Sequence, residues 1–179
     1  MSILGLLPPI GLEIPCSSYA VSVPMKLDTL GVVSLDFKGG WKVRVEKRLE
    51  AELGGVELKF IGLRFTADSP VLGEVTLTQN EEASDPLSPL EIVKTQPPLF
   101  RNTLHTSVNV TIEKPPGGGP PLALAGTELF TQINNQLTVF PPQGAVYQLV
   151  KPVDLAVVGE PSKVVAQFLQ FPATISHNP

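Results

Sequence analysis

Residues 33–45 have the sequence VSLDFKGGWKVRV, in which apolar and polar side chains alternate on both sides of a glycine pair. A period of two is typical of β-strands with one buried face and one solvent-exposed face. If Lys38-Gly39-Gly40 is a three-residue loop, Phe37 pairs with Trp41 and apolar side chains face each other along both arms. The stretch therefore predicts an antiparallel hairpin that reverses at the two glycines.

A second glycine pair, Gly54-Gly55, predicts another reversal close by. A two-residue turn there would pair Leu53 with Val56 and continue the apolar face. Residues 45–53 are also rich in strong helix formers and are followed by a glycine, so a helix there remains an alternative. Pairing across both glycine turns favours the strand. Residues 32–65 then form the centre of one antiparallel sheet.

Composition extends this interpretation to the whole chain. The 179 residues include 19 prolines and 15 glycines, and 17% of the residues are charged. Many breakers between segments rich in Val, Leu and Thr indicate short strands joined by tight loops. We expect an all-β antiparallel β-sandwich of about ten short strands, with a small closed antiparallel β-barrel as the alternative. Residues 1–18 are expected to form an extended apolar N-terminal arm, and residues 19–179 a single domain.

Several classes of function are disfavoured by charge and composition. The net charge of −4 gives no electrostatic footprint for nucleic acid. Apolar runs are shorter than the roughly 18 residues that a membrane span requires. Residues 1–15 contain no Lys or Arg, unlike a secretory signal, so the cytoplasm is the default location. Cys16 is the only cysteine, which leaves no internal disulfide, and no cofactor motif is present.

Candidate catalytic and metal-binding groups are few. His105 and Ser107 lie two apart on the polar face of an alternating strand, residues 103–113, and resemble a base and a nucleophile. Catalysis by such a pair also requires an orienting acid and an oxyanion hole, so an exposed strand histidine is favoured. The acidic loop of residues 80–90 matches no calcium-binding spacing and is interpreted as a solvated loop. Trp41 is expected in the core rather than in a ligand cavity.

The last hairpin is specified by the same pairing argument. A four-residue loop at residues 159–162 pairs Val157 with Val164 and Leu155 with Ala166. The final strand that follows, residues 164–171, is apolar on both faces and carries no charge. Such a strand at a sheet edge promotes aggregation, so it must be central, covered or paired with another chain.

The apolar arm and this final strand lead to the functional expectation. We expect a non-enzymatic structural or self-assembling β-sandwich protein, a homo-oligomer or filament subunit in which neighbouring copies cover both segments. Its predicted association surface consists of Ile3, Leu4, Leu6, Leu7, Ile10, Val165, Phe168, Leu169 and Phe171. In one alternative, the arm folds back over its own domain. In another, the chain is a β-barrel that binds a small apolar ligand, as a carrier or as a cofactor-free cyclase.

Overall fold

The computed structural model describes residues 6–178, and these contain thirteen β-strands and no α-helix. The all-β class and the antiparallel pairing are confirmed, although the strands exceed the expected ten and three of them are long. The strands are β1 (Glu13–Leu27), β2 (Gly31–Leu49), β3 (Gly55–Ser69), β4 (Gly73–Gln79), β5 (Ser88–Thr95), β6 (Pro98–Thr106), β7 (Val108–Ile112), β8 (Leu122–Gly126), β9 (Phe130–Leu137), β10 (Gln143–Leu149), β11 (Val153–Val157), β12 (Glu160–Phe168) and β13 (Ala173–His177).

All thirteen strands belong to one sheet that closes on itself twice. Pairing of β12 with β1 closes a first barrel, made of β1, β2, β3, β4, β7, β8, β11 and β12. Pairing of β5 with β3 closes a second barrel, made of β1, β2, β3, β5, β6, β9, β10 and β13. Strands β1 to β3 are shared by both barrels. This closure corresponds to the barrel alternative of the predicted fold.

The predicted hairpin at Gly39-Gly40 is wrong, because β2 runs through both glycines as one strand of 19 residues. A side chain at Gly39 would overlap the backbone carbonyl of Arg64 on β3. One at Gly40 would overlap the backbone carbonyl of Cys16 on β1. The glycines therefore permit a close approach of three backbones where the shared strands pass from one barrel to the other.

The chain reversal predicted at Gly54-Gly55 is confirmed, but the two strands that flank it pair in a different register from the predicted one. The chain turns within residues 50–54, and Leu49 pairs with Gly55. Residues 45–49 are strand, so the helical alternative is wrong. In the last hairpin, Leu155 pairs with Ala166 as predicted. Two register shifts then pair Val157 with Glu160, which leaves a shorter loop than the predicted one.

The described part of the N-terminal arm lies on its own chain. Residues 13–18, predicted to belong to the arm, are the start of β1. The backbone N–H of Gly11 donates to the carbonyl of Val45 at 2.8 Å, and the N–H of Val45 donates to the carbonyl of Leu12 at 2.9 Å. The side chains of Leu6 and Leu7 pack against the core. Residues 6–12 therefore lie folded back on their own domain, which is the arrangement given above as the alternative to contact with a neighbouring copy.

Five phenylalanines form the part of the core that the two barrels have in common: Phe37, Phe65, Phe130, Phe168 and Phe171. Phe171 lies between β12 of the first barrel and β13 of the second, and its side chain is fully buried. Its aromatic ring centroid lies 5.1–5.6 Å from those of the other four. Edge-to-face contacts dominate, which is a favourable geometry for aromatic pairs.

Substitution of Gly40 by alanine should destabilise the fold. The added methyl group meets a backbone carbonyl rather than a flexible side chain, so we expect a loss of about 1–3 kcal/mol in the free energy of unfolding. Gly62 is the matched control, because it lies on β3 with open space around it and no positive φ angle. Urea unfolding of Gly40→Ala and Gly62→Ala measures both, and equal losses would contradict the close-approach argument.

Substitution of Phe171 by alanine should be more costly, since it removes the side chain that contacts all four other phenylalanines. We expect a loss of about 3–5 kcal/mol in the free energy of unfolding. Val139→Ala, at a side chain that is 47% exposed, is the control and should change stability by less than about 0.5 kcal/mol. A loss below about 1 kcal/mol for Phe171→Ala would be typical of a site outside the core. It would contradict the central role of this side chain.

Candidate functional site

A cleft of about 420 Å³ opens where the two barrels diverge. Strand β3 pairs with β5 at residues 55–58 and with β4 at residues 64–69, and the partners separate between these segments. Loop 80–87, which connects β4 to β5, forms the outer wall. The lining consists of Glu46, Lys47, Lys59, Phe60, Gln79, Ala83, Ser84, Asp85, Pro86, Leu87 and His105. We call this site the fork cleft.

Phe60 of β3, whose side chain is buried, is one of the residues that line the fork cleft. Behind it lies Trp41, which is buried as predicted and packs edge-on against Phe60 with a centroid distance of 5.7 Å. The indole Nε1 of Trp41 is shielded from solvent and has no hydrogen-bond partner among the described residues. The only tryptophan of the chain therefore lies one aromatic layer below the cleft.

Loop 80–87 is fixed to the point where β6 gives way to β7. The carboxylate of Asp85 accepts the backbone N–H of Ser107 at 2.7 Å and the Ser107 hydroxyl at 2.5 Å. The backbone N–H of Asn80 donates to the Ser107 carbonyl at 2.8 Å. The loop was predicted to be merely solvated, whereas three hydrogen bonds to one residue make it a wall of the cleft.

Gln79 carries an unused hydrogen-bonding group in the lining. Its Nε2 donates to the carbonyl of Phe60 at 3.0 Å, which fixes the orientation of the amide. Its Oε1 is shielded from solvent and has no partner in the described part of the chain. A buried acceptor without a donor costs about 1–3 kcal/mol, so this amide is a local cost to the stability of the fold.

His105 lines the fork cleft in an environment that favours the neutral form of its imidazole ring. Its backbone N–H donates to the Ser88 hydroxyl at 2.8 Å, and its Nδ1 lies 3.0 Å from the Thr131 hydroxyl. Burial lowers the pKa of His105 below its ordinary value, partly opposed by the negative charge of Asp85. Ser107 is bonded to Asp85, so the suspected base and nucleophile each have a different partner. His105 Nδ1 and the Ser107 hydroxyl are thus not bonded to each other, as a base and its nucleophile would be.

The interior of the second barrel contains two buried polar side chains, Tyr147 and Asn102, that are hydrogen-bonded within the protein. The Tyr147 hydroxyl donates to Asn102 Oδ1 at 2.7 Å, and Asn102 Nδ2 donates to the Pro89 carbonyl at 3.0 Å. Burial raises the pKa of Tyr147, and it raises the pKa of the Cys16 thiol to about 12. Both groups therefore remain protonated at neutral pH and act as core residues.

The residues of the predicted association surface differ widely in burial. Phe168 and Phe171 are fully buried in the shared core, so these two side chains are corrected from surface to core positions. Closure of the barrels explains this, because β12 is flanked by β11 and β1. Leu6, Leu7, Val165 and Leu169 are half-buried, and Ile10 is 57% exposed. Ile3 and Leu4 lie outside the described residues.

Residues 6–178 contain no group of three metal-ligating side chains. Within the same range, no helix has the length and apolarity to cross a membrane.

Comparison with known proteins indicates the fold. No protein-family model matches the chain, and no curated protein sequence does. Among solved structures, the chain is similar to DynF from the dynemicin biosynthesis pathway of Micromonospora chersina, with a TM-score of 0.77 and 16% sequence identity. The similarity covers 96% of this chain and 82% of DynF. At this identity the likeness is one of fold alone.

The lowered pKa of His105 makes stability depend on pH. Its folded-state pKa lies below the unfolded value of 6.5, so the stability present above that value is lost as the pH falls through the folded-state pKa. We expect the urea midpoint to decrease between about pH 7 and pH 5, and His105→Gln should flatten this decrease. His177→Gln is the control and should retain it. An unchanged slope in His105→Gln would contradict the assignment.

Proposed function

We propose that this chain is a binding protein for a small organic molecule that occupies the fork cleft. The observation that carries the proposal is a concave site of about 420 Å³ whose outer wall, loop 80–87, is held in place by the hydrogen bonds of Asp85 to Ser107. The cleft volume falls in the range of about 300–1,000 Å³ that is usual for small-molecule sites. Such sites combine apolar walls with a few placed polar groups, and Phe60, Pro86 and Leu87 supply the apolar part.

A carrier function is better supported than a cyclase function. His105 and Asp85 line the cleft, but His105 Nδ1 lies against the Thr131 hydroxyl and the Asp85 carboxylate is bonded to Ser107, so the two side chains do not form an acid–base pair with each other. The likeness to DynF is in keeping with a small-molecule ligand, because that protein is described as part of a biosynthesis pathway.

Self-association, which the sequence favoured, has less support. Gly11 and Leu12 of the arm are bonded to β2, and Phe168 and Phe171 of the final strand belong to the core. The chain itself thus buries part of the two segments, while Ile10 remains 57% exposed and Val165 and Leu169 half-buried. Homo-oligomerisation stays a prediction that light scattering on the purified protein checks.

Binding can be measured through Trp41. A dye with an anilinonaphthalene body that occupies the fork cleft should accept excitation energy from Trp41, which packs against the lining residue Phe60, with saturable one-site binding. Asp85→Ala should weaken binding, because it releases loop 80–87 from Ser107. Glu81→Ala is the matched control, since it removes the same charge from an exposed position in the same loop. Equal binding by both variants, or no energy transfer in the wild-type protein, would contradict the proposed function.

A further inference from the structure

We infer that a groove on the outer face of the shared strands binds a short acidic saccharide. The groove has a volume of about 570 Å³ and crosses four neighbouring strands, β13, β1, β2 and β3. Its described lining residues all differ from those of the fork cleft, so this inference is independent of the proposed function.

The lining of this groove consists almost entirely of hydroxyl side chains. Strand pairing sets Tyr19 between Thr174 of β13 and Lys38 of β2. Lys38 in turn pairs with Thr66 of β3. Six of the eight lining residues carry a hydroxyl group: Ser17, Ser18, Tyr19, Thr66, Thr174 and Ser176. We call this site the hydroxyl groove. Hydroxyl groups both donate and accept hydrogen bonds, so the lining matches a ligand that is itself hydroxylated.

Most of these groups can be reached from solvent. The Oγ of Ser18 is shielded, but the other five hydroxyl residues are exposed or half-buried. Lys38 is exposed, and Gly39 beside it leaves bare backbone at the floor of the groove. The hydroxyl of Ser176 accepts a backbone N–H at 2.9 Å, so its own proton remains free to be donated. A ligand therefore finds its contacts at the surface, without any opening of the fold.

Tyr19 gives the hydroxyl groove an accessible aromatic surface. Its side chain is 55% exposed, on the same face of the sheet as the hydroxyl groups. The face of an aromatic ring is electronegative, so it attracts the C–H groups that line one face of a sugar ring. Four strands spaced by about 4.8 Å give the groove a length of about 14 Å, which suits a short oligosaccharide better than a single small molecule.

The charge around the hydroxyl groove favours an acidic sugar. Lys38 and Arg64 are exposed and lie diagonally on β2 and β3, and neither makes an ion pair in the part of the chain that the structure describes. No carboxylate of residues 6–178 lines the groove. Asp36, the next outward residue of β2, accepts the backbone N–H of Ser22 at 2.8 Å. A carboxylate on the ligand would therefore gain a charge-assisted hydrogen bond from Lys38.

Two sugars that differ only in charge test the inference. Trigalacturonic acid and its methyl ester share their rings and hydroxyl groups, and only the acid is an anion at neutral pH. Titration of the ¹⁵N-labelled full chain, followed by the NMR signals of its backbone amides, measures affinity and location together. We expect saturable shifts at residues 17–19, 38–40 and 174–176, with the acid bound about two- to fivefold more tightly than the ester.

Two substitutions separate the contacts. Lys38→Gln should weaken binding of the acid about two- to fivefold and leave the ester unchanged. Its control is Lys163→Gln, which removes an exposed lysine of β12 outside the groove. Tyr19→Ala should weaken binding of both sugars about two- to tenfold. Its control is Val21→Ala, at an exposed apolar side chain two residues along β1.

Urea midpoints of all four variants verify that the fold is retained. The inference is wrong if neither sugar gives saturable shifts, if the shifts map to the fork cleft, or if Tyr19→Ala binds both sugars as the wild type does. Equal weakening of both sugars by Lys38→Gln would contradict the acidic assignment. Sodium sulfate is the last comparison, and equal binding of this ion at the same amides would contradict the saccharide assignment. None of these results alters dye binding at the fork cleft, which tests the proposed function separately.

Discussion

The contacts of Phe171 are the interaction on which the rest of the structure depends. This side chain lies on the link between the final strand of each barrel and contacts four phenylalanines contributed by both barrels. Its carbonyl also accepts the amide of Gln132, a buried side chain of β9, at 3.1 Å. Two barrels that share three strands cannot each have an independent core, and the phenylalanine cluster is the core that they hold in common.

The fork cleft follows from the same shared strands. Because β3 must leave one barrel and enter the other, its neighbours β4 and β5 separate along one edge, and a loop must bridge them. Closed barrels have no free edge, so a diverging pair of strands is where such a fold exposes concave surface and unpaired polar groups. The position of the fork cleft therefore originates in topology as much as in the identity of its lining residues.

The alternation of apolar and polar residues along the sequence predicted much of this fold. Residues 103–113 were predicted as one alternating strand, and every second side chain from Leu104 to Ile112 is buried, although the segment is divided between β6 and β7. The error at Gly39-Gly40 shows the limit of the pattern. A three-residue hairpin and an uninterrupted strand place the same side chains on the buried face, so periodicity does not distinguish them. The close approach of β1 and β3 to the two glycines decides between the hairpin and the uninterrupted strand. This approach involves residues that are distant in the sequence.

The candidate site was less predictable for the same reason. His105 was noticed as a possible base, and Asp85 was noticed as an acidic residue of a loop. Their actual partners, Thr131 and Ser107, lie 26 and 22 residues away in the chain. Gln79 carries no motif at all, and only the three-dimensional packing makes its Oε1 a buried acceptor without a donor in residues 6–178. A site built from the divergence of strands leaves little trace in short stretches of sequence.

The alternation of the chain between the two barrels has a consequence for its biosynthesis. After the shared strands, the chain visits the first barrel with β4, the second with β5 and β6, and continues to alternate until β12 closes the first and β13 the second. Neither barrel can be completed while the ribosome is still adding the last two strands. Earlier segments must therefore remain open, with unpaired edges and exposed apolar faces, until residues 160–177 are available. Such a chain places its greatest demand on protection from aggregation during synthesis, not after it.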